Sequence, residues 1–325
     1  MRMSKDTRFF LALEAVLAIL VVVFIGLLFS DRGKEDKIAV IVNNPGEGKW
    51  EAVIEGIKRC AKNNGVGVVI CNTDSIKDGE ELKVLIEDQL KSGATGLIVG
   101  SVSDSYGIDV LNSYATSIPV AMLEEDGESG QTLISRVGPD NYEIGRALAK
   151  TVIDDYAGNM DGKTVGVILR SNDLPCDAER AKGFEEVIKE SGAVIAWKFE
   201  EETQKDGMSG IKHYISSHNK VNIIAAMDTT ILESITDAAV AKKVHGALIY
   251  GVGNSMKTVY YLDHEAIEHL AVIDGYSMGY DACREVTEKL AGKSYEMQNR
   301  GVEYRILRQQ DLFYAENAEF VFTHD

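Results

Sequence analysis

The sequence predicts an α/β protein of two doubly wound, parallel-sheet lobes, preceded by one N-terminal transmembrane helix. Three observations predict the lobes: a strand–loop–helix unit at residues 37–56, repetition of that unit along the chain, and one break in the rhythm at residues 138–141. Strands separated by helices imply right-handed crossovers and a parallel sheet. A chain of 325 residues is long enough for two such lobes.

The first unit shows all three parts clearly. Residues 38–42 are apolar and rich in β-branched side chains, and the run is too short to indicate a helix. Turn-forming residues follow at 43–48, and Trp50, Val53, Ile54 and Ile57 then recur at helical spacing. Ligands bind such open sheets at the carboxyl ends of the strands.

An apolar segment begins at Phe9 and ends at Phe29, and Glu14 is its only charge. As a helix of about 21 residues it would span the ~30 Å hydrocarbon layer. Basic residues outnumber acidic ones in segment 1–8, so we expect that tip in the cytoplasm and the rest of the chain outside the cell. Glu14 is interpreted as an interfacial carboxylate rather than a functional intramembrane charge.

A cleaved signal peptide and a lipoprotein signal are the alternatives to a signal-anchor. The apolar run is longer than the ~7–15 residues of a signal-peptide core, and no small-x-small pattern ends it. No cysteine precedes Cys60, so no thiol is available there for a lipid. We therefore expect a single-pass cell-membrane protein with residues 9–29 in the bilayer and residues 30–36 as a polar tether.

The alternation continues in both halves. The predicted strands of the first half lie at 66–72, 96–100, 119–123 and 133–137, with helices at 80–90 and 108–114. Pro139 ends the last strand, and Asp140 or Asn141 caps a helix at 142–156. The second half predicts strands at 164–169, 194–199, 221–227, 247–252 and 270–273, intervening helices, and terminal strands at 302–307 and 320–322.

Composition excludes several functions. The formal charge of -17 speaks against a nucleic-acid partner and indicates a solvated acidic surface. Cys60, Cys71, Cys176 and Cys283 form no C-x-x-C pair and have no histidine at ligand spacing, so we expect no zinc, and no cofactor. Small buried thiols are the simplest interpretation of Cys60 and Cys71, and a disulfide stays open because a sequence gives no connectivity.

Seven segments in a fixed order carry a family resemblance: KIAVIVNNPGEGKWEAVIEG (37–56), EDQLKSGATGLIVGSVSD (87–104), IPVAMLEED (118–126), GPDNYEIG (138–145), ERAKGFEEVI (179–188), AAMD (225–228) and LAVIDGYSMGYDA (270–282). Together they cover roughly residues 37–307. The chain resembles the type I periplasmic binding proteins, in their ribose- and galactose-binding branch, which is related to the ligand domain of lactose-repressor-like regulators. Those regulators carry a basic helix-turn-helix where this chain has its apolar segment.

The resemblance implies a bilobal domain with a hinge of several crossings. The N-terminal lobe would comprise residues 37–138 plus about 275–300, and the C-terminal lobe residues 139–273 plus about 301–325. The implied hinge residues are Gly138, Asn141, Asp274 and Gly301. The implied ligand-binding residues are Lys49, Trp50, Ser101, Glu124, Arg180, Asp228, Asn254 and Asp274.

The implied pocket departs from that of the sugar-binding members. In the sugar-binding members a carboxylate–arginine pair follows the fourth strand. Here Glu124 takes the place of the carboxylate, and a second glutamate replaces the arginine. The arginine that grips sugar hydroxyls falls at Ala178, with Arg180 matching a neighbour, and an expected aspartate is Gly253. More carboxylates and fewer bidentate donors indicate a small polar or cationic ligand, sugar-like in the first place.

Several of these residues also have a structural interpretation. Trp50 is either a stacking platform or the top of an apolar helix stripe. The acidic run that begins at Glu124 is either a ligand site or a solvated loop. Asp228 either contacts ligand or caps a helix, and Asn254 is equally ambiguous.

Enzyme motifs are missing from the sequence. His264-Glu265 lacks the second histidine of a zinc protease at the required spacing, and no G-x-S-x-G elbow or phosphate-binding loop occurs. We therefore predict no enzyme. The expected function is solute capture for ABC-type uptake. The alternative is a ligand-sensing ectodomain that reports to a membrane sensor kinase, and an extracytoplasmic enzyme is the third hypothesis.

Overall fold

The computed structural model describes residues 36–322 except 72, 74–75, 77, 103–104, 126–132, 171–173, 201–206, 219, 241–245 and 293, together with residues 14, 16–17 and 19–21. The predicted cytoplasmic tip, most of the predicted transmembrane segment and all but the last residue of the predicted tether lie outside the described residues. Among the residues described, no helix has both the length and the apolar character needed to cross a bilayer. Residues 1–36 and 37–325 form two separate units.

Strands and helices alternate along the second unit. The strands are β1 (Lys37–Ile41), β2 (Gly67–Ile70), β3 (Gly96–Val99), β4 (Val120–Leu123), β5 (Ile134–Gly138), β6 (Thr164–Leu169), β7 (Val194–Glu200), β8 (Ile223–Ala226), β9 (Leu248–Val252), β10 (His269–Ile273), β11 (Arg300–Gly301) and β12 (Tyr304–Leu307). The helices are α1 (Glu51–Asn64), α2 (Gly79–Lys91), α3 (Ser105–Ala115), α4 (Asn141–Asp155), α5 (Pro175–Glu190), α6 (Gly207–Ser217), α7 (Thr229–Val240), α8 (Met256–Asp263), α9 (Gly275–Ala291) and α10 (Ala315–Phe322), with short 3-10 turns at Gly48–Trp50 and Gln309–Asp311.

The strands form two six-stranded sheets, one in each lobe. The first has the order β11-β5-β4-β3-β1-β2 and the second the order β12-β10-β9-β8-β6-β7. Neighbouring strands are parallel except β12, which runs antiparallel to β10. The prediction of two α/β lobes with parallel sheets is therefore confirmed, apart from this one edge strand.

The direction of β12 follows from the place where the chain enters the second lobe. β11 belongs to the first sheet, and only Val302 and Glu303 separate it from β12 in the second. The chain runs straight on into the second lobe, where Tyr304 pairs with Ile273 at the carboxyl end of β10. Because β12 starts at that end, it runs antiparallel to β10.

The chain passes between the two lobes at three places that lie side by side. These are the link from β5 to α4, Asp274 between β10 and α9, and the link from β11 to β12. The Val302 N–H donates to the Gly138 carbonyl at 3.0 Å, and the Asp274 N–H donates to the Glu303 carbonyl at 3.0 Å. The predicted hinge residues Gly138, Asp274 and Gly301 thus lie in or next to these links, and Asn141 begins α4.

Two helices, α1 and α9, cross closely on the first sheet. A Cβ atom at Gly279 would lie 1.9 Å from the Val53 carbonyl oxygen, and one at Gly56 would lie 2.1 Å from the Tyr276 carbonyl oxygen. Only glycine permits this approach. The crossing joins α9, which returns to the first lobe after the second link, to the first helix of that lobe.

The sequence prediction for the C-terminal tail is wrong in part. Residues 320–322, predicted as a strand from their aromatic and β-branched side chains, form the last turn of α10. They continue a run of helix-forming residues that starts at Ala315, and Val321 packs into the core of the second lobe. Packing of a helical stripe decides the conformation here, rather than local β propensity.

The close crossing gives a stability prediction. Gly279→Ala should lower the free energy of unfolding by about 2–3 kcal/mol or more, because the added methyl overlaps backbone atoms that are not free to shift. Denaturant unfolding measures the loss. Gly46→Ala is the matched control, since a Cβ atom there meets nothing within 4 Å. Equal stability of the two variants would show that the helices are not held this closely.

Candidate functional site

A cavity lies between the carboxyl ends of the strands of both lobes. Its lining residues in the first lobe are Ile41, Val42, Asn43, Lys49, Trp50, Ile76, Asp78, Gly79, Leu82, Val99, Gly100, Ser101, Val102 and Glu124. Those in the second lobe are Arg170, Leu174, Cys176, Asp177 and Asp228. The free space is about 40 Å³, room for a few water molecules.

Strand ends position most of the polar lining. Ser101 follows β3, Glu124 follows β4, Arg170 follows β6 and Asp228 follows β8. Parallel strands bring their carboxyl ends to one edge of a sheet, and the two sheets here present those edges to each other. Apolar side chains from β1, β3 and α2 form the opposite part of the wall. The cavity therefore combines charged groups with an apolar surface.

Ion pairs join the two lobes directly across this cavity. Lys49 Nζ lies 3.4 Å from Asp228 Oδ2. Arg170 Nη2 lies 3.6 Å from Glu47 Oε2 and 3.7 Å from Asp228 Oδ1. The Thr230 hydroxyl donates to Glu47 Oε2 at 3.1 Å. Lys49 and Glu47 belong to the loop after β1, so the first lobe contributes one cation and one anion to a network completed by the second lobe.

Asp228 is the centre of this network. Its Oδ1 accepts the backbone N–H groups of Thr230 at 2.8 Å and Ile231 at 3.3 Å, so it also caps α7. Burial acts to raise the pKa of Asp228, but the charges of Lys49 and Arg170 prevail and hold that pKa well below its usual range. Asp228 therefore has both of the roles that the sequence left open, helix cap and cavity residue.

The cations of the network stay charged as well. Burial acts to lower the pKa of Lys49, but the negative charge of Asp228, supported by Glu124 and Glu47, leaves that pKa raised. The charge of Asp228 is the main cause of a raised pKa at Arg170. Lys49, Arg170 and Asp228 are thus fully ionised at neutral pH, with little exposure to water.

Asp177 behaves differently from Asp228. It lies in the first turn of α5, and its Oδ2 accepts the Arg170 backbone N–H at 3.1 Å. Burial, together with the charge of Asp228, raises the pKa of Asp177 to about 7. One carboxyl group in the cavity wall therefore changes charge near neutral pH.

Trp50 belongs to the core and also reaches the cavity. Its side chain is 3% exposed, and its indole N–H donates to the Asn43 carbonyl at 2.8 Å. The Lys49 ammonium lies 4.7 Å from the centre of the ring. The ring face on that side is therefore covered by the chain's own cation, and a stacked ligand would have to displace it.

The turn after β4 connects the cavity to the hinge. Glu124 has a left-handed backbone with φ of 64°, and its carbonyl accepts the Asn141 side-chain amide at 2.9 Å. The Ser101 hydroxyl donates to the neighbouring Glu125 carboxylate. Asn141 is buried and also accepts the Arg180 Nε–H at 2.7 Å, so it links the first-lobe turn to the second lobe.

The predicted ligand-binding residues thus divide into two groups. Lys49, Trp50, Ser101, Glu124 and Asp228 line the cavity, whereas Arg180, Asn254 and Asp274 lie outside its lining. Arg180 is buried and donates to Asn141 and, at 3.1 Å, to the Met227 carbonyl. Its Nη2 has no hydrogen-bond partner in the part of the chain that is described.

Asn254 and Asp274 make main-chain contacts near the second link. Asn254 Oδ1 accepts the Ile273 N–H at 2.8 Å, and its own backbone N–H donates to the Thr229 hydroxyl at 3.2 Å. Asp274 caps α9 by accepting the Ser277 N–H at 2.9 Å. Both residues hold the link in place.

Sequence reasoning missed Glu47, Arg170 and Asp177. Arg170 directly follows β6, so the strand-end rule applied to the second lobe would have found it. Glu47 lies in the loop after β1, where the resemblance pointed only to the following residues Lys49 and Trp50. Asp177 carries no local signal, because its importance comes from burial beside Asp228.

A family model described as a periplasmic binding protein domain matches residues 38–294. Three solved structures are similar to the chain. A glucose-galactose binding protein from Geobacillus stearothermophilus is 20% identical with a TM-score of 0.73, covering 87% of this chain and 100% of that one. A carbohydrate transporter solute binding protein from Agrobacterium radiobacter, in complex with D-arabinose, is 18% identical with a TM-score of 0.76 (88% and 99%).

The third similar structure is the XylFII-LytSN complex, with 18% identity and a TM-score of 0.73 over 86% of this chain and 100% of that one. No curated protein sequence matches the chain. Because these sequence identities are low, the structural matches show the fold alone.

The ion pair across the cavity gives the second prediction. Lys49→Met should lower the free energy of unfolding by about 3 kcal/mol, because a buried carboxylate loses its closest cation. Lys91→Met is the control: the Lys91 side chain is 71% exposed and its ion pairs lie on the surface, so the loss should stay below about 1 kcal/mol. Urea unfolding of both variants measures the difference, and equal losses would contradict a buried pair.

The raised pKa of Asp177 gives a pH dependence. The folded pKa of about 7 exceeds the ~3.9 of an unfolded aspartate, so the folded protein binds more protons between these values. The contribution of Asp177 to stability therefore grows as the pH falls from about 7 to about 4.

Compared with Asp177→Asn, the wild type should gain on the order of 2–4 kcal/mol over that interval. Urea unfolding of both proteins at several pH values in this range measures the gain. A constant difference between the two proteins would mean that Asp177 is ionised throughout.

Proposed function

The chain belongs to the family of periplasmic binding protein domains, which bind ligands and are not enzymes, and on this premise we propose a binding function. The proposed ligand is a small polar molecule, a sugar in the first place, which is captured between the two lobes. One observation carries the proposal: ionised side chains from the strand ends of two facing sheets converge on a single cavity beside three interlobe links. Such a cleft closes on a ligand by bending at the links.

The donors and acceptors in the cavity suit a polyhydroxylated molecule. The carboxylates of Asp228 and Glu124 accept hydrogen bonds from hydroxyl groups, and the Arg170 guanidinium donates them in pairs. The apolar wall and the indole of Trp50 suit the C–H face of a sugar ring. Two of the similar structures are named for sugars or hold one, which supports the same ligand class.

Ligand entry requires the lobes to separate. A monosaccharide is larger than the few water molecules for which the cavity has room. The Lys49 side chain occupies the space in front of Asp228, so an entering ligand would replace it there. Asp228 would lose a cation and would need donors in return. The ligand therefore presents hydroxyl or amine groups to Asp228.

Membrane anchoring and delivery to an ABC permease are part of the proposal. The apolar segment 9–29 and the basic tip before it support an anchored domain that faces the outside of the cell. The alternative is a sensor that reports ligand binding to a membrane kinase. It is favoured by the fact that one similar structure is a complex with a second protein, LytSN.

A ligand screen tests the binding function. Sugars, polyols, amino acids and polyamines are each added to the purified chain, and thermal unfolding is followed. A ligand at about 100 times its dissociation constant adds ~2.7 kcal/mol of stability, which is a clear rise in the melting temperature. Titration calorimetry of each hit then gives the affinity.

Two variants show whether a hit occupies the cavity. Asp228→Asn should weaken binding at least tenfold, because the charged acceptor is lost. Asp263→Asn is the control, since this carboxylate lies at the end of α8 outside the cavity lining. Absence of any shift from a well-folded protein, or undiminished binding by Asp228→Asn, would contradict the proposal.

Cells that lack the chain separate transport from sensing. Loss of uptake of the identified ligand would identify a transport component. Unchanged uptake with loss of the ligand-dependent transcriptional response would identify a sensor.

A further inference from the structure

The crossing of α1 and α9 carries a pair of cysteines. Cys60 lies one turn after Gly56 on α1, and Cys283 lies one turn after Gly279 on α9. Both side chains are fully buried, at 0% exposure, in the core of the first lobe. The same two glycines that bring the helix backbones into contact therefore place one thiol on each side of the crossing.

The two thiols belong to the same core cluster, and the Asn64 amide donates to Cys60 Sγ at 3.6 Å. The Cys283 thiol is the main cause of a lowered pKa at Cys60, and it outweighs burial, which acts to raise that pKa. Cys60 is therefore the thiol of the pair that loses its proton more readily.

The other two cysteines have different surroundings. Cys71 is buried in a separate core cluster of the first lobe, and Cys176 lies in the second lobe, 3.8 Å from Asp177 Oδ1. Burial raises the pKa of both thiols. All four cysteines are free thiols in the structure, so Cys71 and Cys176 serve as internal controls for the reactivity of the pair.

We propose that Cys60 and Cys283 are a redox pair that forms a disulfide bond between the first and the last helix of the first lobe. A disulfide needs its two Cα atoms within about 7 Å and the side chains directed at each other. Helices held in backbone contact one turn earlier, with both thiols buried in one core cluster, favour that arrangement.

The oxidation takes place by exchange with a disulfide such as oxidised glutathione or a thiol oxidoreductase. The Cys60 thiolate attacks one sulfur of the oxidant, the oxidant's S–S bond breaks, and a mixed disulfide forms. Cys283 then loses its proton and attacks Cys60 Sγ, which releases the second half of the oxidant. One protein S–S bond forms, and the two electrons and two protons leave with the oxidant as two thiols. Because both cysteines are buried, the exchange takes place during folding or local opening.

The bond would stabilise one lobe without restraining the cleft. The first lobe is built from two chain segments, and α9 belongs to the second of them. A bond from α1 to α9 closes a loop that contains most of the second lobe, all but β12 and α10, so it restricts the unfolded chain strongly. It lies within the first lobe, whereas cleft closure bends the three interlobe links. Oxidation should therefore change stability and leave ligand binding unchanged.

Peptide mapping of the full-length chain tests the proposal directly. The protein is refolded with oxidised glutathione, alkylated under denaturing conditions without reductant, and digested. We expect one disulfide-linked peptide pair containing Cys60 and Cys283, which separates on reduction, while Cys71 and Cys176 are recovered alkylated. Recovery of all four cysteines as alkylated thiols would overturn the proposal, as would a bond that involves Cys71 or Cys176.

Thermal unfolding with and without reductant gives a second readout. The oxidised wild type should lose about 5 °C or more of its melting temperature on reduction. Cys283→Ala should show no such change, whereas the control Cys71→Ala should keep it. If a variant does not fold, the peptide map of the wild type decides alone. A wild type whose mapped disulfide has no effect on the melting temperature would overturn the stabilising role.

Discussion

The buried carboxylate of Asp228 is the constraint on which the arrangement of the two lobes depends. A charge removed from water is tolerated only if it is paired and hydrogen-bonded. Asp228 meets this condition with two backbone N–H groups of its own lobe, Arg170 beside it and Lys49 from the other lobe. Lys49, the fourth partner, can contact Asp228 only when the two lobes are together. Separation of the lobes therefore requires water or a ligand to take the place of Lys49.

Helix packing in both lobes supports the position of the Asp228 carboxylate between the two sheets. Each lobe contains a pair of helices packed through glycines: α1 with α9 in the first, and α4 with α5 in the second, where a Cβ atom at Gly145 would lie 2.0 Å from the Arg180 carbonyl oxygen. The second of these contacts also fixes the backbone of Arg180, whose guanidinium binds Asn141. Core packing and hinge geometry are thus coupled through one side chain.

The sequence predicted the lobes well and the cavity in part, for a physical reason. Alternation of strands and helices is a local pattern, and the family resemblance pointed to Glu124 and Asp228. The role of Arg170 depends on Glu47 in the facing lobe, and the pKa of Asp177 depends on burial beside Asp228. Such properties arise from the placement of one sheet against another, which no local pattern records. Arg180 and Asn254, which the resemblance implied as ligand-binding residues, lie outside the cavity lining and contact Asn141 and the Ile273 backbone, beside the interlobe links.

The link from β11 to β12 has a consequence for how the molecule moves. It is only two residues long and is hydrogen-bonded to both of the other links. A change in the angle between the lobes must therefore bend all three links together, because the middle of this short link is tied to each of the other two.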